Sequence, residues 1–266
     1  MARPLTALRL RALDVADLVR GRADPLVPPR RLRGTVGDSD FVATGDEVLG
    51  LLVAEAGLRP DERVLDIGCG IGRVARALAG HLGPGGSYGG FDVSAPAVAW
   101  CARRYGPRYP AFRFAHLDVH NAAYNPGGTG AARDVRFPYG DDEFDAAVAT
   151  SVFTHLLADE ADRYLAETAR VLRPGGRLLA TFFLLDDAAR RGQTEGAGAI
   201  AFPHEHWPAR FAQADVPEAA VAYDEGWVLE RLAAHGLKAA GPPRRGTWSG
   251  HPDADGFQDV IVAAVS

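Results

Sequence analysis

From Thr44 onward the sequence alternates segments of strand character with segments of helix character, and that alternation leaves few folds open to the chain. Thr44 and Glu47 have capping-box spacing, Val48, Leu51 and Leu52 follow on one helical face, and Gly57 stops the helix. Arg63 to Ile67 reads as a short buried strand, followed by a glycine-rich turn and a helix through Leu82. Strands at Ser87 to Phe91, Phe112 to Leu117 and Phe144 to Thr150 come next, with a helix at Ser94 to Tyr105 between the first two. Asp159 to Leu172 keeps Ala161, Leu165, Thr168 and Leu172 in helical register, and Arg173-Pro174-Gly175-Gly176 turns the chain into a fifth strand, Arg177 to Leu184. A helix at Asp224 to His235 and strand candidates near Leu237 to Ala240 and Phe257 to Val265 complete the series. The expected fold is therefore α/β, a doubly wound, mostly parallel sheet with helices on both faces. Ligands of such sheets bind outside the C-terminal ends of the strands.

Two segments interrupt the alternation: Val119 to Glu143, rich in Gly and Asn, and Leu185 to Tyr223, which holds His204, His206 and Trp207. Both are expected to be irregular insertions or covers over a site. Ahead of the alternation, residues 1–33 carry eight Arg against three Asp, a charge of +5, which leaves −10 for the remainder of a chain whose net charge is −5. Leu8, Ala12, Val15 and Val19 recur there at helical spacing until the run Pro25 to Pro29, so an amphipathic N-terminal helix is expected. Residues 1–43 thus form a helical arm or lid and residues 44–266 the body. A hydrophobic share of 47% excludes a disordered chain, and no run approaches the ~20 apolar residues that cross a bilayer. The expected location is cytoplasmic. Cys69 and Cys101 are too few for a disulfide framework or a zinc site and read as free thiols.

The segment Val64-Leu65-Asp66-Ile67-Gly68-Cys69-Gly70-Ile71-Gly72-Arg73 says most about function. Glycines between strand and helix let the chain turn sharply and let a ligand approach the main chain. The dinucleotide fingerprint G-x-G-x-x-G fails, because its third glycine position, counted from Gly68, falls on Arg73. Asp66, just before the turn, would repel a pyrophosphate but hold a ligand ammonium group. Asp92, at the end of the second strand, stands where ribose hydroxyls are bound, and Asp118, at the end of the third, is placed to accept from an adenine amino group. Each acid alone also fits a plain strand-end or capping residue. Three acids at successive strand ends are harder to read that way.

Asp66 to Gly72, Asp92, Asp118, the strand start Phe144-Asp145 and Arg170-Val171-Leu172-Arg173-Pro174-Gly175-Gly176 together resemble the class I S-adenosylmethionine-dependent methyltransferases, over about residues 44–184. The resemblance implies a Rossmann-like sheet of seven strands whose last, Phe257 to Val265, inserts antiparallel between its neighbours. It implies S-adenosyl-L-methionine as cofactor. Asp66 and the backbone of Gly68, Cys69 and Gly70 would hold the methionine part, Asp92 and Val93 the ribose, Asp118 and Val119 the adenine, and Ser151 would line the methionine end. Tyr124-Asn125-Pro126, Ser151-Val152-Phe153-Thr154-His155 and Gln258-Asp259-Val260 resemble segments of bacterial methyltransferases. The insertion His120 to Arg136 departs from the family by its length.

Methyl transfer needs an aligned nucleophile and exclusion of water, and a hydroxyl acceptor gains from a general base. His155, just past the fourth strand, is the first candidate for that base, with His204 and His206 next; a structural histidine is the alternative reading. No metal site is expected. His116 and His120 flank Asp118 and would orient its loop, while Tyr124, Trp207, Tyr223 and Trp248 are candidate walls of an acceptor pocket. The leading expectation is methylation of a small-molecule acceptor at oxygen. RNA or protein methylation and a non-catalytic S-adenosylmethionine-binding module are the alternatives. The acidic body and the lack of a nucleic-acid module argue against RNA.

Overall fold

The computed structural model describes residues 10, 13–14, 24–33, 40–251 and 254–266. Helix α1 (Phe41–Ala54) opens where the Asp40 carboxylate accepts the amides of Val42 and Ala43 at 2.9 and 2.8 Å. An aspartate satisfies the orphan amides before Thr44 is reached, so the expected capping box of Thr44 and Glu47 lies inside the helix instead. The chain continues as β1 (Arg63–Ile67), α2 (Arg73–His81), β2 (Ser87–Asp92), α3 (Ala95–Tyr105), β3 (Phe112–His116), β4 (Phe144–Ala149), α4 (Ala158–Val171) and β5 (Leu172–Phe182). After β6 (Leu184–Leu185) come α5 (Asp187–Glu195), β7 (His204–His206), β8 (Ala209–Phe211), β9 (Val221–Asp224), α6 (Glu225–Ala234), β10 (Leu237–Ala239) and β11 (Asp259–Val265).

The main sheet has seven strands in the order β10-β11-β5-β4-β1-β2-β3. Strands β1 to β5 are parallel, and β11 inserts antiparallel between β10 and β5, as expected of the last strand. Period-two alternation divides the core. Leu65, Ile67, Ala147, Ala149, Leu178 and Ala180 face α4 and α6 through Leu165, Val228 and Leu232. Val64, Ala146, Val148 and Leu179 face α1, α2 and α3 through Leu52, Leu78 and Trp100. Strand order reverses around β1, between β2 and β4, which opens a crevice above their C-terminal ends.

Two local expectations are corrected. Leu172 already belongs to β5, where it pairs with Phe144, and pairing resumes at Ala146 with Arg177, so Arg173 to Gly176 is a bulge within the strand and not a turn ahead of it. Gly175 supplies the positive φ, 73°, that this bulge requires. Leu185 to Tyr223 is not an irregular insertion either: it holds α5 and a second sheet, β6-β9-β8-β7, built over Phe183, Leu185, Phe202 and Trp248. Strands of two to four residues carry too little alternation to be read. The apolar positions Leu8, Ala12, Val15 and Val19 of the expected N-terminal helix lie outside the described residues. Residues 24–33 pack on the body, with Leu26 buried beside Val48, Leu52 and Val74, and Val27 and Leu32 beside Phe41 and Ile71. Among the described residues no helix is long and apolar enough to cross a membrane.

Candidate active site

The turn after β1 is built by glycines at φ of 69° (Gly68), 49° (Gly70) and 83° (Gly72), in the left-handed region that side chains resist. The Cys69 amide donates to the Phe91 carbonyl at 2.9 Å, which ties the turn to β2. Around it lies a cleft of about 730 Å³, within the range of about 300–1,000 Å³ usual for small-ligand sites. Asp66, Gly68, Cys69, Gly70, Asp92, Val93, Asp118, Val119, Ser151 and His155 all line it, so the structure brings the expected cofactor-binding residues and the first candidate base to one cleft.

Asp66 ends up 1% exposed, with its Oδ2 accepting the Tyr88 hydroxyl at 2.7 Å. Burial pushes this carboxyl up to about 7, and the neighbouring Asp92 charge adds to the rise against the Tyr88 hydrogen bond. Tyr88 reaches Asp66 because Gly90 has no side chain: a Cβ there would stand 2.5 Å from the Tyr88 hydroxyl and 2.9 Å from the Cys69 Cβ. Asp92 is held by two backbone amides, Gly70 to Oδ2 at 2.8 Å and Ser94 to Oδ1 at 2.7 Å. Burial raises its pKa against those two bonds. Asp118 is exposed, and the Thr129 hydroxyl donating to its Oδ2 at 2.7 Å holds its pKa below the ordinary value. His116 donates from Nε2 to the Val93 carbonyl at 3.1 Å and so braces the loop beside Asp92.

At the β4 side, Ser151 sits at φ 55°, an uncommon conformation for a serine. Its amide donates to Thr181 Oγ1 at 2.8 Å and its hydroxyl to Gln258 Oε1 at 3.0 Å, which hold the turn in that shape. His155 follows in a single 3-10 turn, Phe153–His155, with its ring half-buried against Glu218 and Tyr124. Burial lowers its pKa, against backbone hydrogen bonds at Glu218 and Ala219. The insertion His120 to Arg136 is folded by its own bonds: His120 donates to the Gly130 carbonyl at 2.8 Å, and Asn121 and Asn125 exchange backbone bonds at 3.2 and 2.9 Å.

His204 and His206 stand exposed on β7 and do not line the cleft, so they are not brought to His155. Of the aromatic candidates only Tyr124 lines it; Trp207 is exposed beyond β7, and Tyr223 and Trp248 are buried in the packing of β9 and the second sheet. Tyr88, Asn121 and Thr129 went unread, although the pattern Tyr88-Gly89-Gly90 beside Asp66 was a visible signal of a side chain needing room. Among the described residues no three His, Cys, Asp or Glu gather as metal ligands.

Residues 65–178 match a family model described as a methyltransferase domain. A fatty-acid O-methyltransferase of Mycolicibacterium smegmatis is 36% identical over 130 residues, 49% of this chain and 38% of that protein. An O-methyltransferase of Penicillium expansum is 33% identical over 145 residues, 53% of this chain and 46% of that protein. The chain thus spans less than half the length of these curated relatives. In fold it is similar to the 1,6-didemethyltoxoflavin-N1-methyltransferase of Burkholderia thailandensis with bound S-adenosylhomocysteine, at a TM-score of 0.53 and 21% identity over 100% of this chain and 92% of that one. The magnesium protoporphyrin IX methyltransferase of Synechocystis, also with bound S-adenosylhomocysteine, gives 0.55 at 17% identity over 98% and 100%. The glycine turn, the acids at successive strand ends and the antiparallel last strand agree with these matches, and residues 65–178 are identified as similar to a methyltransferase domain on a fold shared with S-adenosylhomocysteine-bound methyltransferases.

Proposed function

We propose that the protein transfers a methyl group from S-adenosyl-L-methionine to an oxygen of a small-molecule acceptor. The observation that carries this reading is the convergence of Asp66, Asp92 and Asp118 on one cleft with the glycine turn on one wall and His155 on another. The residues fit the cofactor. Asp66 is a buried carboxyl that accepts the neutral Tyr88 hydroxyl and, among the described residues, forms no ion pair, which suits a ligand ammonium. Asp92 is fixed by two amides in the position that accepts ribose hydroxyls, with Val93 beside it. Asp118 and Val119 take the adenine edge, Gly68, Cys69 and Gly70 present backbone to the methionine part, and Ser151 closes its far end.

When bound, S-adenosylmethionine supplies a methyl group on a sulfonium whose leaving group is a neutral thioether. The chain's task is then to align the acceptor, exclude water and remove a proton. His155 is assigned to proton removal. Oxygen as the accepting atom is supported by the O-methyltransferase names of two relatives, and a small acceptor by the acidic body, which repels nucleic acid. Residues 1–43 are assigned as an arm over the body of residues 44–266, supported by the packing of Leu26, Val27 and Leu32. A bacterial, cytoplasmic setting is supported by the two free, buried cysteines and the mycobacterial relative.

The test is calorimetry with S-adenosylhomocysteine. Asp92→Ala should weaken binding by about 1–3 kcal/mol through lost charge-assisted hydrogen bonds. Unchanged affinity in a folded Asp92→Ala variant sinks the site assignment.

A further inference from the structure

His155 does not present an open basic nitrogen to the cleft. Its Nδ1 lies 2.9 Å from the Glu218 carbonyl oxygen, which can only accept, so Nδ1 carries the proton and Nε2 the lone pair. That lone pair is met at 3.2 Å by the Tyr124 hydroxyl, and the two rings meet edge to face with centroids 4.9 Å apart. One buried side chain fixes both partners. Asn121, 8% exposed, donates from Nδ2 to the His155 carbonyl at 2.9 Å, and its Oδ1 accepts the amides of Ala123 and Tyr124 at 3.1 and 3.0 Å. Tyr124 itself is 44% exposed and lines the cleft that Asp66 and Asp92 line.

We propose that Tyr124 is the catalytic residue that touches the acceptor, that His155 is a positioning residue acting through it, and that the acceptor carries an acidic hydroxyl, phenolic or enolic. This rests on the methyltransferase reading above. The acceptor hydroxyl gives its proton to the Tyr124 oxygen while the Tyr124 proton passes to His155 Nε2. The acceptor oxygen forms the new oxygen–carbon bond as the methyl–sulfur bond breaks, and the electron pair of that bond leaves with the neutral thioether. The imidazolium formed keeps its Nδ1 bond to Glu218 and later returns its proton to water.

The relay selects the acceptor class. A proton crosses a phenol most readily from a group about as acidic as a phenol, near 10. An aliphatic alcohol, about as weakly acidic as water, stands several decades further uphill. A carboxylic acid is ionised at neutral pH and leaves the relay no proton to move. Burial and then the Asp92 charge hold the Tyr124 hydroxyl above its ordinary pKa, against the charge of Arg73 on the same cleft wall, so Tyr124 rests protonated and passes a proton on instead of storing a negative charge.

The test uses the full chain with methyl-labelled S-adenosylmethionine and four probes: phenol, acetylacetone as an enol, decanol and decanoate. Phenol or acetylacetone should be methylated at least about 10-fold faster than the other two. Tyr124→Phe and His155→Gln should each lower kcat about 100-fold with KM nearly unchanged, and the double variant should be no slower than either. A readout independent of turnover is para-nitrophenol bound to the S-adenosylhomocysteine complex: its phenolate absorption should grow on binding to the parental protein and not to His155→Gln. Preference for decanol or decanoate, no transfer to either acidic hydroxyl, or a parental rate in Tyr124→Phe overturns the inference. Calorimetry with S-adenosylhomocysteine on the same samples separates the two levels. A protein that binds it and fails these tests refutes the relay alone, and a folded protein that does not bind it refutes the reading beneath.

Discussion

Lowering the pH from 8 to 6 should weaken binding of S-adenosylhomocysteine about tenfold, and Asp66 is the reason. Burial holds its carboxyl at about 7 in the free protein, against an ordinary 3.8. Only the ionised form offers a counter-charge to the ligand ammonium, so the bound state favours the deprotonated carboxylate and affinity rises as pH rises through 7. For a pKa of 7 the ionised fraction is about 0.9 at pH 8 and about 0.09 at pH 6, a ratio of about ten, or ~1.4 kcal/mol. Asp92, whose pKa burial also raises, adds in the same direction. The assay is isothermal calorimetry in two buffers of different ionisation heat. At pH 7 about half a proton should be released per ligand bound, and almost none at pH 8. Asp66→Asn, which keeps an acceptor for the Tyr88 hydroxyl, should bind more weakly at pH 8 and lose most of the pH slope. A parental affinity that stays flat from pH 6 to 8 with no buffer-dependent heat would refute the reasoning, as would an unchanged slope in Asp66→Asn.

The same shift bears on stability. A carboxyl whose folded pKa is raised contributes stability that is complete below 3.8 and lost as pH rises through about 7, so Asp66→Asn should stabilise the ligand-free protein at pH 8 by at most about 4 kcal/mol, read as a rise in Tm that vanishes near pH 3. Gly90→Ala should cost about 1–3 kcal/mol in urea denaturation and weaken S-adenosylhomocysteine binding, because its Cβ displaces Tyr88 and Cys69 together; an unchanged midpoint would show that both side chains give way. Proteolysis within Val119 to Glu143 should slow when S-adenosylhomocysteine is added, since Asp118 and Val119 at the base of this segment line the cleft, and equal rates with and without ligand count against closure.

The parts of the protein that were legible in its sequence share one physical property: their signal is repeated or local. Strands β1 and β4 announce themselves because Val64, Leu65, Ala146, Ala147 and Val148 are apolar on both faces, which only a sheet covered on both sides requires. Asp66, Asp92 and Asp118 were readable because each stands at or just past the C-terminal end of a strand, where chain geometry alone points a side chain at the crevice. Tyr88 is the instructive miss. It lies on β2 two residues ahead of Gly90, the register partner of Asp66, and it contacts that carboxylate only because Gly90 leaves room for its ring, a relation between strands that no single segment displays. The second sheet was illegible for a different reason, since three-residue strands such as Ala209–Phe211 are set by pairing with β9 and not by their own pattern. His155 shows the limit most clearly. Its place past β4 was readable, but its chemistry is decided by three groups whose meeting the sequence does not display: a backbone carbonyl at Glu218, a tyrosine in an insertion, and an asparagine that holds both ends of the contact. Which nitrogen of a histidine is basic, and whether it meets the acceptor or another side chain, depends on atoms brought together from residues 121, 124, 155 and 218 by folding alone. A base assigned from strand position is therefore an assignment of place, and the partner at Nε2 turns it into an assignment of mechanism.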